Sequence, residues 1–249
     1  MPFTFSHPAA ILPFSRLKPN WFSLTSLIFG SLSPDFEYFL RMEMYGNYSH
    51  TLQGVFFFNL PLVLLLSFVY HNIVRDNLIE NLPVFLSTRL TNFTDFDWNN
   101  YFKKNVIIIL VSALIGVASH IIWDAFTHAD GYFVENIRGL KSVFHIGGVR
   151  LQVFKVLQHF SSLMGAIVVV LWVMKIPQNT ETVLRKLTNY WPKVFVAFVA
   201  ILLLRYYYGN IITDIKQWVV PFIASILAAI VIVPLYNKAL IFFSSKQKA

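Results

Sequence analysis

The sequence predicts an all-α, polytopic integral membrane bundle of about five full spans, preceded by an N-terminal hairpin of short helices. Three observations carry this reading. Of 249 residues, 56% are hydrophobic and only 13% charged, with 25 Phe, far from the make-up of a soluble domain. Apolar runs occupy residues 51–71, 105–128, 157–174, 194–208 and 218–236. The net charge of +8 is carried mostly near the ends of those runs, where cations meet anionic lipid head groups. Membrane lipids are thus the expected partners. No nucleic-acid partner is expected, because no basic patch is separable from the membrane flanks.

The elements follow in order. The N-terminus, Met1 to Pro8, lacks the charged region that precedes the apolar core of a secretory signal, so it reads as part of the fold. Residues 8–17 form a short helix opened by Pro8, and Lys18-Pro19-Asn20 a turn. Residues 24–32 form a second short helix that should end at Ser33-Pro34-Asp35, since Pro34 disfavours helix at the residue before it. Neither piece reaches the ~20 residues of a full span. Residues 36–50 are a polar-aromatic link with Glu37, Arg41 and Glu43, and 51–71 the first full span. Residues 72–104 read as a polar connection with an interfacial helix before Trp98, and 129–155, rich in glycine, as an irregular cap. The last two spans carry no interior acid or histidine and read as scaffold. Residues 1–175 would therefore hold the functional site and 176–249 the C-terminal scaffold helices of one membrane domain.

Charge placement orients the chain. Ten cations (Arg75, Arg89, Lys103, Lys104, Lys175, Arg185, Lys186, Lys193, Lys246 and Lys248) fall on one side against six on the other, which makes the first side cytoplasmic. His50, His128 and His159 then share the extracytoplasmic face without having been used to assign it.

The stretch Ser119 to His128 organises the rest. His120, Asp124 and His128 recur at i, i+4 and i+8. At ~100° per residue Asp124 sits roughly 40° round the helix from His120, and His128 roughly 80°, so all three project into one cleft. An apolar helix hides each ionisable group at a cost of several kcal/mol, which something must offset. There is no cysteine, so a transition-metal site here must be built from His, Asp and Glu. The candidate ligands are His7, Asp35, His50, His120, Asp124, His128 and His159, with Glu37 nearby. His71 and His145 read as interfacial or loop residues. A set this rich suits a divalent metal, zinc first, with manganese or iron as alternatives, and two ions rather than one. Asp35 or Asp124 could serve as catalytic base.

Plainer roles exist for each residue alone. His120 and Asp124 could be a structural pair, Asp35 the cap of a helix-ending turn, His7 an N-cap, and His159 part of a polar helix start. His-Glu-x-x-His, Gly-x-Ser-x-Gly and Walker-type loops are lacking.

Four motifs in combination resemble an uncharacterised bacterial family of small polytopic membrane proteins. They are Met1-Pro2-Phe3-Thr4-x-Ser6-His7-Pro8-Ala9-Ala10, Ser33-Pro34-Asp35-x-Glu37-Tyr38-Phe39, Ser49-His50-Thr51-Leu52 and Ser119-His120-x-x-Trp123-Asp124-x-Phe126-Thr127-His128. The resemblance covers most of residues 1–165 and implies a bacterial inner (plasma) membrane location. More distantly, the order of ligands is similar to the membrane-bound metal-dependent hydrolases and to the zinc-dependent phospholipase C group. That likeness implies that the seven residues are zinc ligands and Asp35 the base. Where the phospholipase group closes with His-x3-Glu, this chain has Leu163, so the likeness does not extend to a third ion.

The expected function is a membrane-bound, metal-dependent hydrolase of a phosphate ester, with a phospholipid as the substrate that apolar neighbours Phe5, Phe36, Tyr38, Trp123 and Phe126 would suit. The alternatives are a transporter or proton-coupled carrier using intramembrane His and Asp, and a scaffold with a structural metal.

Overall fold

A computed structural model of the chain describes residues 3–17, 21–179, 189–209 and 214–246. The Lys18-Pro19-Asn20 turn, Met1-Pro2, and the charges of Arg185, Lys186 and Lys248 lie outside the described residues. The described chain is predominantly helical. Five of its helices are long and apolar enough to cross a membrane, the make-up of a multi-pass membrane protein.

A single 3-10 turn, Thr4–Ser6, leads into α1 (Pro8–Leu17) and α2 (Leu24–Arg41). The expected break at Ser33-Pro34-Asp35 does not occur, and α2 runs straight through Pro34. Pro34 has no N–H for the carbonyl of Gly30, four residues back, and an orphaned carbonyl in an apolar setting would normally end the helix. Here the Ser33 hydroxyl donates to that carbonyl at 3.1 Å, so the helix survives. Asp35 therefore projects from the interior of a helix and does not cap a turn.

The next helix, α3, is continuous from Leu52 to Asn81, 30 residues or ~45 Å, and contains two π-helical stretches, Val55–Asn59 and Tyr70–Val74. Then follow α4 (Val84–Leu90) and α5 (Trp98–Lys104), both within the stretch expected to be a polar connection. The motif-bearing helix is α6 (Val106–Thr127). Residues 129–155, expected to be irregular, instead form two short helices, α7 (Tyr132–Asn136) and α8 (Arg138–Lys141). A hairpin of β1 (Val143–Ile146) and β2 (Val149–Gln152) follows them. Gly147 and Gly148 have φ of +56° and +81°. Two consecutive left-handed residues make the tight turn whose twist matches paired strands, and only glycine adopts it without strain. The remaining helices are α9 (Val153–Met174), α10 (Tyr190–Tyr208) and α11 (Val219–Lys246).

Two compact units divide the chain. The first comprises Met1–Phe36, Asn47–Leu64 and Phe102–Lys175. Its core is Ile11, Leu12 and Leu27, packed by Phe22, Ile115, Val169 and Trp172. Here α2 and α6 come into backbone contact. A Cβ on Gly30 would lie 2.5 Å from the Ala113 carbonyl oxygen, and one on Gly116 2.4 Å from that of Leu27. In lipid, where apolar side chains gain little by leaving one hydrocarbon for another, such close small-residue packing drives helix association.

The second unit comprises Glu37–Gly46, Leu65–Tyr101 and Ile176–Ala249. In it α10 and α11 pack through Tyr190, Val194, Ala229 and Val233. His71, expected at an interface or in a loop, is buried inside α3 with its ring stacked on Trp98, centroids 4.9 Å apart. Arg75 makes this possible. Its Nη1 donates to the Phe96 carbonyl at 2.6 Å and lies 3.2 Å from His71 Nδ1, while its Nε donates to Asp76 at 2.7 Å. With the guanidinium so paired, nothing forces the helix to stop at residue 71.

Candidate metal centre

Every residue of the centre belongs to the first unit. His7 closes the 3-10 turn, and Asp35 projects from α2 one residue past Pro34. His50 sits in the turn before α3. That turn is held by the Thr51 hydroxyl, which donates to Tyr48 O at 2.8 Å and accepts from Gly54 N at 3.0 Å. Asn59, in the first π-helical stretch, donates to Ser49 O at 2.6 Å and so anchors the turn from the far side. His120 and Asp124 lie one turn apart on α6, and His128 is that helix's C-terminal cap residue.

Asp35, His50, His120 and Asp124 form a group whose ligand atoms all lie within 4.8 Å of one another. Asp124 is central. Its Oδ2 lies 3.2 Å from His120 Nε2 and 3.6 Å from His50 Nε2. Its Oδ1 lies 3.2 Å from His7 Nε2 and 3.5 Å from His128 Nδ1. His120 Nε2 also lies 3.7 Å from Asp35 Oδ1. The His7 and His120 rings stack, with centroids 3.9 Å apart.

The tautomers follow from the neighbours. His120 Nδ1 is 2.8 Å from Ser31 O, and His7 Nδ1 is 3.1 Å from Thr4 O. A carbonyl only accepts, so each Nδ1 carries a proton, and each Nε2 faces the carboxylates either as a lone pair behind a shared cation or as the second N–H of an imidazolium. A backbone carbonyl on one ring nitrogen is the usual arrangement behind a metal-ligating histidine. For His120 the consequence is sharper. Its Nε2 is fully buried and makes no well-directed hydrogen bond, although two carboxylate oxygens stand within 3.7 Å. Lone pair facing lone pair is repulsive unless positive charge lies between them.

Charge balance leads the same way. Asp35 is 1% exposed and Asp124 8%. Among the described residues neither is paired with a lysine or an arginine. Thr4 Oγ1 donates to Asp35 Oδ2 at 2.6 Å, which leaves Oδ1 turned toward His120. Two buried carboxylates matched only by imidazoles need positive charge, which a divalent cation or protonated imidazole could supply.

Not every predicted residue joins the group. His128 approaches only through Nδ1, which also lies 3.2 Å from its own helix's Asp124 carbonyl, while its Nε2 meets Gln158 at 3.4 Å. His159 is exposed on α9 and stands outside the group; its neighbour Gln158 is the residue turned inward. Glu37 is held by Arg41 at 3.0 Å within the second unit. Sequence reasoning overlooked Thr4, Gln158 and the carbonyl of Ser31. Thr4 lay inside the N-terminal motif, and Gln158 beside a histidine, but neither residue type suggested a ligand, and a carbonyl leaves no mark on a sequence.

The family model described as Domain of unknown function (DUF4184) matches residues 1–235. The chain belongs to the DUF4184 family. No curated protein and no solved structure matches it. The DUF4184 match takes in all of the residues of the centre, together with His159 and the first four apolar spans.

Proposed function

We propose that this DUF4184 protein is a membrane-embedded, metal-dependent hydrolase of phosphate esters, with a phospholipid as substrate. The observation that carries the proposal is the central Asp124 carboxylate, each oxygen of which faces imidazole nitrogen, beside the fully buried His120 Nε2 and the buried Asp35. Asp35, His50, His120 and Asp124 would hold one divalent ion, zinc fitting the mixed imidazole and carboxylate donors best. A second ion would take the other oxygen of Asp124 with His7 Nε2, while His128, its Nδ1 turned to the Asp124 carbonyl, would stand behind that carboxylate. The distant likeness to the zinc-dependent phospholipases adds weight to this reading, though a shared order of ligands is an analogy.

Such an ion supplies Lewis acidity, acidifying water and polarising a phosphoryl oxygen. The chain's own residues do the rest. Asp35, pinned through Oδ2 by Thr4, offers Oδ1 to take the proton from the attacking water. His50 is the most open of the group, its side chain 31% exposed, and marks the side from which substrate arrives. Leu52, Phe56 and Phe57, exposed just beyond it, suit acyl chains reached from the bilayer.

The test is elemental analysis of the purified chain beside His120→Ala and Asp124→Ala, followed by a phospholipid hydrolysis screen. Bound zinc and turnover should vanish together in both variants while the helical signal persists. Metal-free wild type, or turnover retained in either variant, overturns the assignment. A structural metal is the second reading, favoured by the way the centre ties the N-terminal turn, α2 and α6 together. In that case chelation melts the protein, and a screen of well-folded wild type shows no turnover.

A further inference from the structure

The β1–β2 hairpin has two unlike faces. Paired residues Phe144↔Leu151 and Ile146↔Val149 share one face, and Val143↔Gln152 and His145↔Arg150 share the other. The first face is wholly apolar. At its base Phe144 and Leu151 are half-buried, but at its tip Ile146 and Val149 are 62% and 58% exposed. An isolated two-stranded hairpin is barely stable in water, so an uncovered apolar face calls for a cover.

Position and charge say what covers it. The hairpin runs directly into α9, a helix long and apolar enough to span, with no linker between Gln152 and Val153. Four residues of extended strand reach ~13 Å, so the tip stays within that distance of the start of the span. The lipid head-group layer is on the order of 5–8 Å deep there. From Arg138 to Lys155 the chain carries four cations, Arg138, Lys141, Arg150 and Lys155, and no acid. All four are exposed.

We propose that the hairpin is a docking element for an anionic phospholipid leaflet. Phe144, Ile146, Val149 and Leu151 enter the acyl boundary, and Arg138, Lys141 and Lys155, which flank the hairpin, meet lipid phosphates, while Arg150 shares the outer face with His145. Apolar insertion beside cations is how interfacial segments hold a charged membrane surface. The proposal needs only the membrane location and stands whether or not the metal centre is catalytic.

The chain has no cysteine, which permits clean single-site labelling. Ile146→Cys and His145→Cys, neighbours on opposite faces, would each carry a fluorophore in full-length protein reconstituted at one chain per nanodisc. The discs are made of phosphatidylcholine alone or mixed with phosphatidylglycerol. In the mixed discs the label at 146 should be quenched by lipid-borne nitroxide and shielded several-fold from aqueous acrylamide, while the label at 145 behaves oppositely. The shielding should weaken in phosphatidylcholine alone, and by about fivefold for each of Lys141→Gln and Lys155→Gln in the mixed discs. Val149→Cys repeats the reading from the other strand. Equal acrylamide quenching at 145 and 146 overturns the proposal. Shielding of 146 from both quenchers means that protein covers the face, and equal depth in neutral lipid removes the anionic partner; either result also overturns it.

Discussion

Thr4→Val isolates one bond that the metal reading depends on. The Thr4 hydroxyl donates to Asp35 Oδ2 at 2.6 Å, and the two residues are 4% and 1% exposed. Valine keeps the shape of threonine and opens no cavity, so the change removes a hydrogen bond and little else. A bond to a charged acceptor contributes about 1.5–3 kcal/mol, and the buried carboxylate loses it. Freed of Thr4, Asp35 can turn Oδ1 away from His120. Zinc affinity should fall roughly tenfold to a hundredfold, the range found when groups behind a metal ligand are removed. The assay is competition against a chromophoric chelator in nanodiscs, with circular dichroism to confirm folding. Thr4→Ser, which keeps the hydroxyl, should restore most of the affinity. Folded Thr4→Val with wild-type affinity would refute the reasoning, because Asp35 would then need no positioning or take no part in the site.

Other consequences follow from the same structure. His159→Ala should leave metal content unchanged, since His159 is exposed and outside the group, whereas His120→Ala should abolish it; equal losses by elemental analysis would put His159 back in the site. Gly116→Ala should destabilise the first unit by about 1–3 kcal/mol, because the new Cβ would lie 2.4 Å from the Leu27 carbonyl oxygen and force α2 and α6 apart. A thermal melt in detergent reads that loss, and an unchanged midpoint would mean that the helices do not meet there. Zinc occupancy in chelator competition should fall as the medium is acidified, since protons compete for every imidazole and carboxylate ligand. Occupancy flat down to strongly acid pH would argue against a His and Asp donor set.

Much of this protein could be read from composition and spacing alone. An apolar run of span length has few ways to satisfy its backbone other than as a helix, so the five long helices were legible. The i, i+4 spacing of His120 and Asp124 placed both on one helix face. Three features waited for the structure, the first through a local bond and the other two through tertiary contacts. Pro34 does not break α2, because a single hydroxyl from Ser33 satisfies the carbonyl the proline orphans, and no propensity scale registers that bond. His71 is buried because Arg75 finds its partners at Asp76 and at Phe96, the latter 21 residues away. Whether His159 or Gln158 faces the centre is decided by the rotation of α9, fixed where Trp123 Nε1 donates to Ser161 at 3.2 Å and the Ser6 hydroxyl donates to the Ser162 carbonyl at 2.7 Å. Sequence determines which groups must be satisfied. Which partner satisfies them depends on helix rotation and close approach, set by contacts between residues far apart in the chain.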